Sequence, residues 1–157
     1  MYGMNRYLST AAVWLGCSML FGCAVPYTMQ TPPSFRRFDD KTELKMITAD
    51  GVRLKARQVD NYPEGDLAFW TDAMERHLNE RGYVLKSKEC FTSNSGENAC
   101  TLDFVLPYGT EDWTFSETVF VVGDTVVLVE AAGPFERFAE VESELASALK
   151  TFEPNLK

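Results

Sequence analysis

Four cysteines and one histidine carry most of the nucleophilic, redox and metal-binding potential of this chain. His77 follows Met74 and precedes Leu78. As a general base it would need an orienting acid and a nucleophile within reach. No serine or cysteine motif accompanies it, so the expected role is that of a half-buried or surface histidine. Cys90 and Cys100 do not form a C-x-x-C. This leaves redox catalysis and a zinc site without support. The acidic pairs Asp39-Asp40 and Glu111-Asp112 lack the alternating spacing that wraps calcium and read as solvated loops. Glu136, Glu140 and Glu144 are four apart and read as an exposed helix face. With 23 acidic residues present, a carboxylate pair for glycoside hydrolysis cannot be singled out by residue type. The expectation is no catalytic residue, no metal and no cofactor.

Recognition groups are better represented. Tyr62, Pro63, Tyr108 and Trp113 fall in or beside expected loops. Exposed loop aromatics can anchor a partner, so Tyr62, Tyr108 and Trp113 are the candidate partner-binding residues. The competing reading packs Trp113 and Tyr83 under helices.

The elements that must position these residues follow from hydrophobic periodicity. Residues 42–48 alternate as a strand, Ala49-Asp50-Gly51 turns the chain, and Val52, Leu54 and Ala56 alternate with Arg53, Lys55 and Arg57 in a second strand. Asn61 to Gly65 breaks the pattern. A helix is predicted from Asp66 or Leu67 to Arg81, with Asp66 as its cap, Gly82 as its stop, and Phe69, Trp70, Ala73, Met74 and Leu78 on one side. Strands over 83–92, 99–106, 113–122 and 125–131 then form a meander. The unbroken run Val126-Val127-Leu128-Val129 marks a central strand covered on both faces. Gly133-Pro134 opens a last helix with Phe138, Val141, Leu145, Leu149 and Phe152 along one stripe. The predicted fold is therefore α+β, an antiparallel sheet of about six strands flanked by two amphipathic helices.

Residues 1–22 have the three parts of a secretory signal: Arg6 as the positive part, a largely apolar run from Tyr7 to Phe21, and a terminal cleavage region. At 15 residues that run is short for a spanning helix, which needs about 20. It ends in Leu20-Phe21-Gly22-Cys23, which resembles the lipobox of bacterial lipoproteins. Phe21 departs from the small residue usual at its position. Cys17 is a poorer candidate, since Trp14 occupies the aliphatic place. The resemblance implies lipidation of Cys23 and cleavage before it. Three acyl chains would hold the protein on a membrane, where one chain holds only marginally. Ala24 follows, where aspartate would retain a lipoprotein in the inner membrane. The implied location is therefore the periplasmic face of the outer membrane. Residues 23–34, with Pro26, Pro32 and Pro33, read as a tether. At about 3.1 Å per residue it would reach roughly 35 Å. Residues 35–157 form a single domain, long enough for a real core.

Signal removal takes away one charge, Arg6, and leaves the remainder more acidic than the −8 of the whole chain. A negative body repels nucleic acid and anionic headgroups. The expected partners are a membrane through the lipid, and an envelope protein. Cys90 and Cys100, an even pair in an oxidising compartment, flank a polar loop between adjacent strands and are predicted to form a disulfide.

The element order also resembles the PsbP-like fold, shared by an extrinsic photosystem II protein and envelope lipoproteins of the DcrB type. The residues that carry the likeness are Trp70, Gly82-Tyr83, Trp113, Ala131-Ala132-Gly133-Pro134 and Phe152-Glu153-Pro154, within residues 42–154. It implies an α-β-α sandwich and an accessory or binding role, and it brings no catalytic residue. An immunity-type lipoprotein that blocks a toxin, and an envelope hydrolase with a site assembled from distant residues, are the competing function classes.

Overall fold

The computed structural model describes residues 27–40 and 43–154. The expected signal, the lipobox and Cys23 lie outside the described residues. The elements are β1 (Tyr27–Thr28), β2 (Phe35–Arg37), β3 (Leu44–Thr48), β4 (Arg53–Asp60), α1 (Leu67–Glu80), β5 (Val84–Thr92), β6 (Asn98–Tyr108), β7 (Glu111–Val122), β8 (Thr125–Pro134), α2 (Phe135–Leu149) and β9 (Glu153–Pro154).

Seven strands form one antiparallel sheet in the order β2-β3-β4-β8-β7-β6-β5. The β2-β3-β4 meander and the β5-to-β8 meander join along β4 and β8, so β8 is central, as its apolar run predicts. Val126 and Leu128 point to the α1 side, and Val127, Val129 and Ala131 to the α2 side. Neither face of β8 can be polar without exposing the other half of the core, which explains the loss of alternation. The sheet has one strand more than the six expected. The added strand, β2, has three residues, of which only Phe35 is buried, too short for alternation to be visible. A two-residue ladder of β1 with β9 lies apart from the main sheet.

The helices begin and end as their sequences dictate. The Asp66 carboxylate accepts the Phe69 N–H at 2.8 Å and caps α1. Gly82 takes φ +88° just after it, a conformation that favours glycine. In α2, Phe138, Val141, Leu145, Ala148 and Leu149 are buried along one stripe. Glu144 departs from the exposed face expected for it. It is half-buried, and its Oε2 accepts the Ser34 N–H at 3.2 Å.

The described part of the expected tether is not a tether. Tyr27 is 1% exposed and Met29 is buried in the core of the α2 face. The Tyr27 ring stacks on Phe152 at 5.7 Å, and the Gln30 N–H donates to Thr151 Oγ1 at 3.0 Å. Tyr27 and Met29 are two apart, the strand spacing that points both side chains to one face. The prolines and threonines around them hide this in the composition.

Candidate functional site

The helices cover opposite faces of the sheet at different places. α1 lies over β5, β6 and β7, and α2 lies over β7 and β8 on the other face. A third layer, the segment that carries Tyr27 and Met29, completes the α2 side over β3 and β4. Two grooves result. One, of 590 Å³, runs between α2 and the β5-β6 edge and includes Ser87, Glu89, Phe91, Asp103 and Glu142. The other, of 430 Å³, lies on the α1 side of the sheet beyond the helix. Phe38, Arg53, Lys55, Phe115, Glu130 and Ala132 shape it.

The second groove is the candidate site, because a charged cluster sits beside its floor. Lys55 Nζ meets Glu130 Oε2 at 2.7 Å, and Arg57 Nη2 and Nε meet Glu130 Oε1 at 2.8 and 3.0 Å. Directly across the β7-β8 ladder from Glu130 stands Glu117, 4% exposed. It has no hydrogen bond or ion pair among the described residues. Burial first, and the Glu130 charge second, push its carboxyl up to about 7, with Arg57 and Lys55 offsetting part of this. A buried carboxyl raised toward neutrality is a candidate acid–base group. Both oxygens of Glu130, however, are engaged by cations. The cluster therefore fixes charge beneath the groove.

At the rim, Lys45 is held by Asp40 and by Glu43, the latter at 2.9 Å. Arg53 is exposed and has no hydrogen bond or ion pair among the described residues. It shares the groove with the Phe38 and Phe115 rings. A free guanidinium beside two aromatic walls can receive a carboxylate and stack a planar group at once.

Glu117 and Glu130 have no part in the sequence reading, and Arg53 and Arg57 enter it only as the polar side of a strand. One signal was available: Trp113, Phe115, Val119 and Val121 share a face of β7 with Glu117, so a carboxylate interrupts an otherwise apolar row.

The residues that were singled out are placed as follows. Cys90 and Cys100 stand opposite each other on β5 and β6 and are joined, with Cα atoms 4.0 Å apart. Tyr108 is 64% exposed, and its ring meets the half-buried Trp113 edge-on at 5.1 Å. Tyr83 packs against Phe104 and Phe115, as its packing alternative predicts. His77 is exposed on α1. Tyr62 is 86% exposed but does not join Tyr108 in one surface. It follows β4 beside the Gly123-Asp124 turn, whereas Tyr108 closes the other end of β7, roughly 35 Å away at 3.3 Å per residue. No group of three or more His, Cys, Asp or Glu among the described residues is placed to hold a metal ion. No helix of the described residues is long and apolar enough to cross a membrane.

No family model matches the chain, and no curated protein sequence matches it. Solved structures do. LpqN of Mycobacterium tuberculosis, involved in cell envelope biogenesis, superposes with a TM-score of 0.66 at 11% identity, over 80% of this chain and 81% of that one. PA94 of Pseudomonas aeruginosa, a protein of unknown function, gives 0.63 at 11% identity, over 78% and 99%. The cyanobacterial PsbP of Synechocystis gives 0.58 at 13% identity, over 82% and 86%. At these identities the likeness is one of fold, and the fold is PsbP-like.

Proposed function

We propose that this protein is a lipid-anchored envelope lipoprotein whose domain works by binding. Its lipid is carried by Cys23, and it stands on the periplasmic face of the outer membrane. The observation that carries the binding role is the groove around Arg53. It offers a guanidinium that is unpaired among the described residues and shares the groove with the Phe38 and Phe115 rings, on an otherwise acidic protein and beside the Lys55, Arg57 and Glu130 cluster. The ligand that fits is an extended segment of an envelope protein presenting a carboxylate next to an aromatic or planar group. The role of LpqN in cell envelope biogenesis supports an envelope setting by analogy of fold.

Photo-crosslinking in intact cells tests the reading. A benzophenone amino acid at Phe38 should give a discrete adduct with one envelope protein, and Arg53→Glu should abolish it while leaving the thermal midpoint within a few degrees. An adduct unchanged by Arg53→Glu would place the contact elsewhere. A hydrolytic activity of the purified protein that disappears with His77→Ala or Glu117→Gln would replace the binding role with catalysis.

A further inference from the structure

The packed N-terminal segment restricts how an anchored domain can stand on its membrane. Tyr27, the first described residue, is buried at one end of the sheet. That end holds the Asn61–Gly65 loop, the Gly123-Asp124 turn and the C-terminus of α2. Its position is set by three contacts. Tyr27 OH donates to Gln58 Oε1 at 3.3 Å near the end of β4, the Tyr27 ring stacks on Phe152, and Tyr27 pairs with Pro154. Between Cys23 and Tyr27 there are four Cα–Cα steps, at most about 14 Å of extended chain. A lipid on Cys23 would hold this end of the domain within that distance of the headgroups.

The same end carries the most exposed aromatic side chain of the described residues, Tyr62. Its loop is firmly supported. The buried Asn61 donates its N–H to Asp124 O at 2.8 Å and its side-chain amide to Gly123 O at 3.2 Å. Asn61 Oδ1 accepts the Trp70 indole N–H at 2.6 Å and the Gly65 N–H at 3.0 Å. Tyr62 and Pro63 therefore project from a fixed base. A tyrosine places an apolar ring and a polar hydroxyl, the composition favoured where bilayer meets water. Asp60, Glu64, Asp66, Asp124 and Glu153 are exposed around it, with Lys150 as a neighbouring cation. Such an end is repelled by anionic lipid, so the ring and not charge must make the contact.

We propose that Tyr62 is a membrane-contact residue that seats the anchored domain on a zwitterionic phospholipid surface, with the Tyr108–Trp113 end turned away from it. This rests on Cys23 carrying the lipid. The acylated, processed protein beginning at Cys23, reconstituted into phosphatidylcholine and phosphatidylethanolamine vesicles, provides the test. Cys23 is blocked by its lipid and Cys90 and Cys100 are bonded, so Tyr62→Cys and Tyr108→Cys each offer one thiol for an environment-sensitive fluorophore. The label at 62 should shift to the blue and lose most of its emission to a nitroxide on the lipid headgroup. The label at 108 should do neither. A flexible insertion after Ala24 should free the label at 62, and enrichment in phosphatidylglycerol should weaken its quenching. Equal quenching at 62 and 108, or quenching at 62 that survives the insertion, would overturn the seating while leaving the anchor intact. A mass showing bare Cys23 would overturn the anchor and the seating with it.

Discussion

Beneath α2, five side chains of the helix are buried, and Phe152, Phe120 and Tyr27 continue the layer past its end. Beneath α1, only Thr71 and Leu78 are fully buried, while Leu67, Trp70, Met74 and Tyr83 are half-covered. The sheet between them is shared, so the contrast comes from what each helix leaves open. The α2 side is closed over β3 and β4 by the N-terminal segment and carries the larger apolar cluster. On the α1 side nothing among the described residues extends the cover beyond the helix, and a charged cluster occupies the floor there. One face stores stability, and the other has the room and the polar groups for recognition.

The largest effect expected from this contrast is at Phe152. Phe152→Ala opens a cavity between Tyr27 and Phe120 and should cost about 3–5 kcal/mol in urea unfolding. The half-covered Met74 on the other face should cost about 1 kcal/mol as Met74→Ala. Equal losses would mean that the two faces contribute alike.

The disulfide comes next. It pins the edge strand β5 to β6 on the α1 side, next to Lys88, which bonds Asp72 and Glu75 of α1. Removing it as Cys90→Ser with Cys100→Ser should lower stability by about 3 kcal/mol in the chain-entropy model. Hydrogen exchange should show the loss concentrated in β5, with the α2 side unchanged.

Glu117 gives the contrast a pH signature. Its folded-state carboxyl is raised to about 7 from an ordinary value of 4.5. The folded state therefore holds this proton more tightly than the unfolded chain. The associated stability is complete below pH 4.5 and is lost as pH rises through 7. Glu117→Gln keeps a neutral side chain at all pH. It should be more stable than the wild type by about 3 kcal/mol at pH 8 and nearly equal to it at pH 4.5. A constant difference across that range would mean that Glu117 titrates normally.

The smallest effect is expected at Tyr108. Tyr108→Ala loses one edge contact with Trp113 and should cost less than about 1 kcal/mol. A larger loss would make Tyr108 part of the core.

Much of the fold is legible in the chain because each element is periodic over its own length. The capped and glycine-stopped α1, the apolar stripe of α2 and the unbroken run of β8 each report a local requirement of backbone geometry and burial. The Cys90–Cys100 pairing was legible for the same reason, since both lie in one hairpin. The recognition groove was not. Arg53 and Phe38 become neighbours through the β2-β3-β4 meander, and Phe115 and Glu130 arrive from the other meander. That neighbourhood exists only once β4 pairs with β8.

By itself the sequence determined helices, hairpins and the two-faced central strand, since the residues that cause them are near one another in the chain. Tertiary structure alone decided that Tyr27 docks on Phe152, that Tyr62 and Tyr108 occupy opposite ends of the sheet, and that Lys55 and Arg57 reach Glu130. The physical reason is register. Pairing of β4 with β8, elements far apart in the chain, sets which side chains meet, and a slip of one position would turn every one of them to the other face.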